Sequence, residues 1–384
     1  MSRSVPENVV AWCHEQESLL LRFPQRAVRP DGRAVVLDAA GGDSGELSPT
    51  YLTARMAHVH ALAHLRGHVG HLDIAGQLLQ RLLHDGAECW TDEPTRGARR
   101  SLYALDHVIL AAASGSIAGL PGANELLEVG LREFEGTFWD SAVQRPIDHL
   151  DGRGAPAQYR GMNSTMHLTE ALFAAADATG EHYLSDRALS LCRLALTFAQ
   201  ERQMRLCEHY DREWRALPEF HRDQPDDTFQ PFGSTPGHGF EWSRLLAQAS
   251  QRPGANDLLA GAAAMYDRAA EDSTRRLAAP GLIYTVDFDG TPVSTRRLWW
   301  VAAEAFAAAS VLHRLGAPSP RVEADVLQWR DLIRDTFVDP GRGSWVHDLD
   351  QPDGPKSDLY HCFQAVLIPQ LPISTSVAAS ARRV

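Results

Sequence analysis

The stretch Thr-Pro-Gly-His-Gly-Phe-Glu-Trp-Ser-Arg-Leu-Leu (235–246) closes a long irregular segment, 203–238, and opens a run of apolar residues at three- and four-residue steps. Such steps mark a helix that buries one face or all of itself. The arrangement recurs. Tyr-Arg-Gly-Met-Asn-Ser-Thr-Met-His (159–167) follows the irregular stretch 138–160, and Asp-Leu-Tyr-His-Cys-Phe-Gln (358–364) follows 338–358. Each time a histidine stands in or just before the opening turns of the helix: His238, His167 and His361.

Outward from these segments the periodicity predicts about twelve helices, at about 7–22, 50–67, 71–84, 98–117, 120–137, 161–179, 183–202, 239–251, 255–276, 296–315, 320–337 and 359–370. Pro and Gly clusters such as Gly119-Leu120-Pro121-Gly122 and Pro318-Ser319-Pro320 punctuate them. Twelve successive helices make six hairpins, and a lone hairpin cannot bury its apolar face. Six of them close into an all-α (α/α)6 barrel with alternate helices inside. The long connections, 138–160, 203–238, 277–295 and 338–358, each follow an odd-numbered helix, so they gather at one mouth. Long loops collected at one end of a scaffold usually carry function. Leu282–Gly290 ends in Asp-Gly, a hairpin-turn pair, which predicts short β-hairpins among these loops. The barrel is expected to span 1–373 as a single domain, with the small, polar 374–384 as a disordered tail. The competing architecture, an α-solenoid, would show repeats that resemble one another, and none is found.

The 384 residues are 44% hydrophobic and 22% charged, enough for a large core. A net charge of −12 argues against nucleic acid or an anionic membrane as partner. No apolar run reaches membrane-spanning length, and Met-Ser-Arg-Ser-Val-Pro-Glu-Asn at the start has no apolar signal core. Five scattered cysteines with no Cys-x-x-Cys read as reduced thiols of a cytoplasmic protein. Phosphate-loop, nucleophile-elbow and dinucleotide-loop motifs are absent. The oligomeric state is left open, a homodimer included.

The unusual residues fall on the even-numbered helices. Arg55 is early in the second and Tyr103 in the fourth, and the sixth carries Asn163 and His167. The eighth carries His238 and Glu241, the tenth Trp299, Trp300 and Glu304, and the twelfth His361. If even helices form the inner ring, these groups meet at the mouth where the long loops emerge. Two imidazoles on opposite sides of a small molecule can pass protons between adjacent carbons and oxygens. An arginine can hold the oxygens of an enediolate. A glutamate beside a histidine can fix its tautomer, and Glu241, three residues after His238, has the spacing for it. Tryptophan offers a flat apolar face to a sugar, while Asn and Tyr bind hydroxyls. The set describes acid–base chemistry on a monosaccharide with no metal or cofactor. Taken singly, each residue also fits a bland role: a half-buried histidine, a surface arginine, a core tryptophan, a first-turn glutamate. Their joint placement points to the site. A second cluster is His58, His60, His64, His68 and His71, of which His60, His64 and His68 have the i, i+4, i+8 spacing of one helix face. Without His-Glu-x-x-His or a nearby third carboxylate, it reads as hairpin packing or a solvated face rather than a zinc site.

The three histidine segments, with Arg-Leu-Trp-Trp-Val-Ala-Ala-Glu-Ala (297–305), resemble the N-acylglucosamine 2-epimerase superfamily, nearest its mannose isomerase and sulfoquinovose isomerase branch. The resemblance runs from Arg55 to His361. It implies an (α/α)6 barrel and metal-free aldose–ketose isomerisation through a cis-enediolate, with D-mannose and D-fructose as the pair, and D-lyxose and D-xylulose as further candidates. By the same resemblance His238 and His361 are the acid/base pair and Arg55 assists at the reacting oxygens. Tyr103, Asn163, His167, Glu241, Trp299 and Glu304 bind or orient the sugar. Relatives tend to carry an arginine near 229–232, where this chain has Gln230, which disfavours a sulfonated sugar. Three other readings remain. A sugar 2-epimerase would use the same enediolate. A glycoside hydrolase would need Glu241 and Glu304 as paired carboxylates. A non-catalytic sugar-binding scaffold would not need the histidines.

Overall fold

A computed structural model describes residues 3–23, 28–30, 32–93, 98–151, 153–275, 279–356 and 358–382. Twelve helices follow one another: α1 (Glu7–Leu20), α2 (Thr50–Leu65), α3 (His71–Asp85), α4 (Leu102–Ile117), α5 (Ala123–Glu133), α6 (Met162–Thr179), α7 (His182–Gln200), α8 (Pro236–Ala249), α9 (Leu258–Ser273), α10 (Trp299–Leu315), α11 (Val322–Leu332) and α12 (Tyr360–Leu367). A short thirteenth, α13 (Val377–Ala381), ends the described chain. Each even helix packs on its even neighbours, from α2 to α4 and onward to α12, which returns to α2. Each odd helix backs the even helix of its hairpin, and α1 closes against α12. The architecture is the (α/α)6 barrel.

The division between rings follows from composition. Every residue of α10 from Val301 to His313 is buried, because an inner helix has neighbours on all sides. Outer α5 buries only Ala123, Leu126, Leu127 and Gly130, a single stripe at helical spacing. Both α5 and α11 run on into a single π-helical turn, at 134–138 and 333–337, which seats Phe134, Phe138, Ile333 and Phe337 in the core.

The five antiparallel strand pairs among the described residues lie in connections leading from an odd to an even helix. They are β1 (Val35–Leu37) with β2 (Asp43–Leu47), β3 (Trp139–Asp140) with β4 (Arg145–Pro146), β5 (Tyr159–Gly161) with β6 (His209–Asp211), β7 (Thr285–Val286) with β8 (Pro292–Ser294), and β9 (Val338–Asp339) with β10 (Ser344–Trp345). The expected Asp-Gly turn joins β7 to β8: Gly290 has φ +84° and donates its N–H to the Asp287 carbonyl. The even-to-odd connections are short, such as 180–181 and 118–122, so the mouth is elaborate and the opposite end plain.

That plain end corrects one expectation. Residues 374–382 are not a disordered tail: Ser376 caps α13, and Val377, Ala378 and Ala381 are buried against α2, α4 and α6. Small side chains that look featureless in sequence are what fits between the converging inner helices. Arg383 and Val384 lie outside the described residues.

Four of the five clustered histidines bind neighbouring elements. His58 hydrogen-bonds Ser114 of α4 (2.7 Å), Nδ1 of His60 meets Nδ1 of His71 on α3 (2.7 Å), and His68 reaches Glu17 of α1 (2.9 Å). Burial keeps His58 and His60 neutral down to about 3, helped by Arg55 at the first and His71 at the second. An unfolded chain protonates histidine near its ordinary value of about 6.5. Between these two values the unfolded state binds more protons, so stability is complete above about pH 6.5 and declines as pH falls toward 3. The urea midpoint is therefore expected to drop between pH 7.5 and pH 5, and His60→Gln should flatten that slope. Equal slopes in variant and parent would show that His60 is not held neutral.

Candidate active site

A cavity of about 270 Å³ opens between the first turns of the inner helices. Arg55, Tyr103, Asn163, His167, His238, Glu241, Trp299 and His361 all line it. Of the residues singled out from the sequence, Glu304 alone is off the wall. It stands behind His361 and not at the cavity, contrary to the expectation that it binds the sugar.

His361 Nδ1 hydrogen-bonds Glu304 Oε1 at 2.9 Å, which leaves Nε2 with its lone pair. Burial lowers the His361 pKa, and the Glu304 carboxylate opposes that fall. Burial would raise Glu304, but Arg244, donating from Nε to Oε2 at 2.8 Å, and His361 hold it at about 2. Arg244 is wholly enclosed one turn below the mouth. It also lies 3.4 Å from Glu241 and 3.7 Å from Glu170, whose other oxygen takes the Tyr360 hydroxyl. One guanidinium thus faces three carboxylates. Burial first, and then Glu304, push Glu241 well above the usual carboxylate range, so Glu241 is the member that carries a proton. Its Oε2 has no hydrogen-bond partner among the described residues.

His238 sits at the other flank. Pro236 in the first turn of α8 supplies a preset φ where no amide donor is needed. Gly237 then lets the Trp300 ring lie across the helix start, since a Cβ there would stand 2.3 Å from that ring. Trp300 consequently fills the space between the two histidines, its centroid 5.2 Å from His238 and 5.7 Å from His361. Nδ1 of His238 lies 3.1 Å from Oε2 of Glu208, in the loop before β6. The carboxylate behind His238 is therefore Glu208 and not Glu241, contrary to what the i, i+3 spacing suggests. Glu241 turns toward His167, 3.8 Å away, because Arg244 draws it inward.

Arg55 organises the third side. It donates to Asp358, to the Tyr103 hydroxyl (2.8 Å) and to His107 Nε2 (2.8 Å), and its Nη2 lies 3.4 Å from His167 Nε2. His107 donates its Nδ1–H to the Tyr103 carbonyl (2.7 Å). Burial would raise Asp358, yet Arg55 and His361 hold it at about 2. Burial, His107 and Arg55 together press His167 well below its ordinary value, so it faces the cavity as a neutral imidazole. His107, Asp358, Glu208, Arg244 and Glu170 were not singled out from the sequence. Two had a signal: His107 lies one turn past Tyr103, and Asp358 one turn before His361.

Among the described residues two groups bring metal-ligand atoms within 4.8 Å of one another: His167, Glu170 and Glu241, and Glu241, Glu304 and His361. Both share their carboxylates with Arg244. A divalent cation seated there would meet a fixed positive charge, so the donor set suits a guanidinium and not a metal.

A family profile for N-acylglucosamine 2-epimerase matches residues 37–365. The chain belongs to that family. It is 37% identical to a D-mannose isomerase of Thermobifida fusca, the match covering 96% of each chain. It is 34% identical to one of Pseudomonas cannabina pv. alisalensis, over 96% of this chain and 94% of the relative. In structure it is similar to a crystal structure of D-mannose isomerase, with TM-score 0.87, 24% identity and 96% and 99% of the two chains covered. Cellobiose 2-epimerase of Spirochaeta thermophila shares the barrel, with TM-score 0.79, 18% identity and 94% and 96% coverage. The chain is an isomerase of this family.

Proposed function

We propose that this isomerase interconverts D-mannose and D-fructose, and D-lyxose and D-xylulose more weakly, by proton transfer through a cis-enediolate. One observation carries the reading: two imidazoles, each with a carboxylate behind Nδ1, flank one sugar-sized cavity with the Arg55 guanidinium on its wall. His238, backed by Glu208, assists opening of the pyranose ring by moving a proton between the ring oxygen and the anomeric hydroxyl. His361 Nε2 takes the proton from C2 as the aldehyde oxygen gains charge. Arg55 and the protonated Glu241 hold the enediolate oxygens while O2 gives up its proton and O1 takes one, and a proton returned to C1 completes the ketose. One proton moves from C2 to C1 and one from O2 to O1, so no electrons are exchanged with any partner, and neither cofactor nor metal is called for. The relatives named as D-mannose isomerases support the choice of sugar.

The test is proton NMR with D-mannose in deuterated buffer containing EDTA. Fructose carrying solvent deuterium at C1, or mannose exchanged at C2, is the expected result. Glucose without fructose would replace the reading with 2-epimerisation. No exchange with mannose, lyxose, glucose or cellobiose would overturn it.

A further inference from the structure

Beside the reaction cavity lies a second of nearly equal size, about 260 Å³. Four residues, Tyr51, Tyr103, Asn163 and Phe229, line both. Three of them form a partition of rings in edge contact: Tyr51 to Tyr103 at 5.4 Å, Tyr51 to Phe229 at 5.6 Å and Tyr103 to Phe229 at 5.4 Å. No histidine is among the described residues that line the second cavity. Its walls include Asp92, Arg99, Ser101, Asp148, Tyr159 and Ser164, a mixture of carboxylate, guanidinium, hydroxyl and aromatic surface. Those groups bind one another, Ser164 to Asp148 at 2.9 Å and Arg99 to Asp92 at 2.7 Å, and each carboxylate oxygen keeps a further lone pair for a ligand hydroxyl. A polar room with an aromatic flank suits a pyranose ring.

The partition stands opposite the chemistry. In the ring of inner helices α4 faces α10, and Trp300 of α10 separates the two acid/base histidines while Tyr103 of α4 belongs to the partition. A sugar whose C1 and C2 lie at the histidines, with O1 and O2 toward Arg55, has that end beside Tyr103 and Tyr51, so its far end, C4 to C6, is placed toward Phe229, the partition ring that Arg55 does not touch. Of the four shared residues, Tyr103 is tied to Arg55, and Tyr51 and Asn163 sit on inner helices. Phe229 is on a loop, more than a third exposed, and its ring meets those of Tyr51 and Tyr103 edge-on. The loop is fixed through its carbonyls: Asn163 donates to that of Phe229 (3.3 Å), His221 hydrogen-bonds that of Gln230 (2.9 Å) and His209 that of Pro231 (2.8 Å). The backbone would hold its path without the ring.

We infer that Phe229 is a specificity-determining residue, whose ring confines the substrate to one sugar unit by closing the reaction cavity off from a neighbouring pyranose-sized subsite. The inference rests on the proposed isomerase reading. The experiment compares the parent, Phe229→Ala and Phe229→Leu on D-mannose and on β-1,4-mannobiose, reading ketose formation. In Phe229→Ala the kcat/KM for mannobiose is expected to rise about tenfold or more, with kcat for mannose within a few-fold of the parent. Phe229→Leu, which keeps the volume, should stay near the parent. Asp148→Asn added to Phe229→Ala should lower the mannobiose rate and spare that for mannose. If Phe229→Ala converts mannose but gains nothing on mannobiose, or if Asp148→Asn lowers both rates equally, the inference is overturned. If the parent leaves mannose unchanged, the isomerase reading has failed instead. Calorimetry then still reads the partition, by mannobiose binding to Phe229→Ala and not to the parent, and its absence overturns the inference.

Discussion

His361→Ala should abolish exchange of the mannose C2 proton while ring opening stays measurable. Nε2 of His361 is a free base because Nδ1 is spoken for by Glu304, and burial keeps the imidazole neutral at working pH. Losing a positioned general base costs about 10²- to 10⁴-fold in rate. His238→Ala should slow ring opening, read from interconversion of the anomers, and leave exchange on the open-chain sugar. Glu304→Gln separates positioning from bulk. Since the carboxylate raises the His361 pKa against burial, its neutral replacement lets that value fall further. The acid limb of kcat/KM should then move to lower pH while the rate at neutrality drops. A His361→Ala enzyme that retains both ring opening and C2 exchange would remove His361 from the mechanism.

Much of this was legible in the sequence, for reasons that can be named. Inner helices such as α10 are apolar all round and outer ones such as α5 carry one stripe, so the alternation of rings is written in the periodicity. Each inner helix starts at the mouth, so polar residues in its first turns stand near the cavity; Arg55, Tyr103, His167, His238 and His361 line it, while Glu304 stands behind. What lies one turn deeper was not. Arg244 and Glu170 read as ordinary charges within a helix, and only the fold shows them to be fully enclosed and aimed at each other across α6 and α8. Spacing along a single helix also misled at Glu241, whose partner is settled by a neighbour's charge rather than by sequence distance. Glu208 comes from an irregular loop, where no period predicts direction. The helix at 377–381 escaped because its small residues carry no periodic signal, and a confined end of a barrel selects for smallness rather than hydrophobic bulk.

The depth of Arg244 makes its replacement the largest stability effect expected outside the core. Arg244→Met keeps much of the side-chain volume but leaves the carboxylates of Glu170, Glu241 and Glu304 enclosed without their cation. Breaking a buried ion pair from one side costs about 3–5 kcal/mol. For a chain of this length that corresponds to a thermal midpoint lower by about 4–6 °C. Which charge is stranded can be asked directly. Glu304 is the ionised partner, held at about 2 chiefly by Arg244 against its burial, whereas Glu241 already carries a proton. Arg244→Met with Glu304→Gln should therefore recover a substantial part of the lost midpoint, and Arg244→Met with Glu241→Gln little of it. Replacing both members of a buried pair by neutral groups is often nearly neutral, which is the basis for that recovery. Catalysis would separate from stability in the same variants: Arg244→Met/Glu304→Gln regains the fold but not the carboxylate behind His361, so its kcat stays low while its midpoint rises. A single Arg244→Met variant that melts with the parent, or equal rescue by both second substitutions, would show that the guanidinium does not carry the charge balance beneath the site.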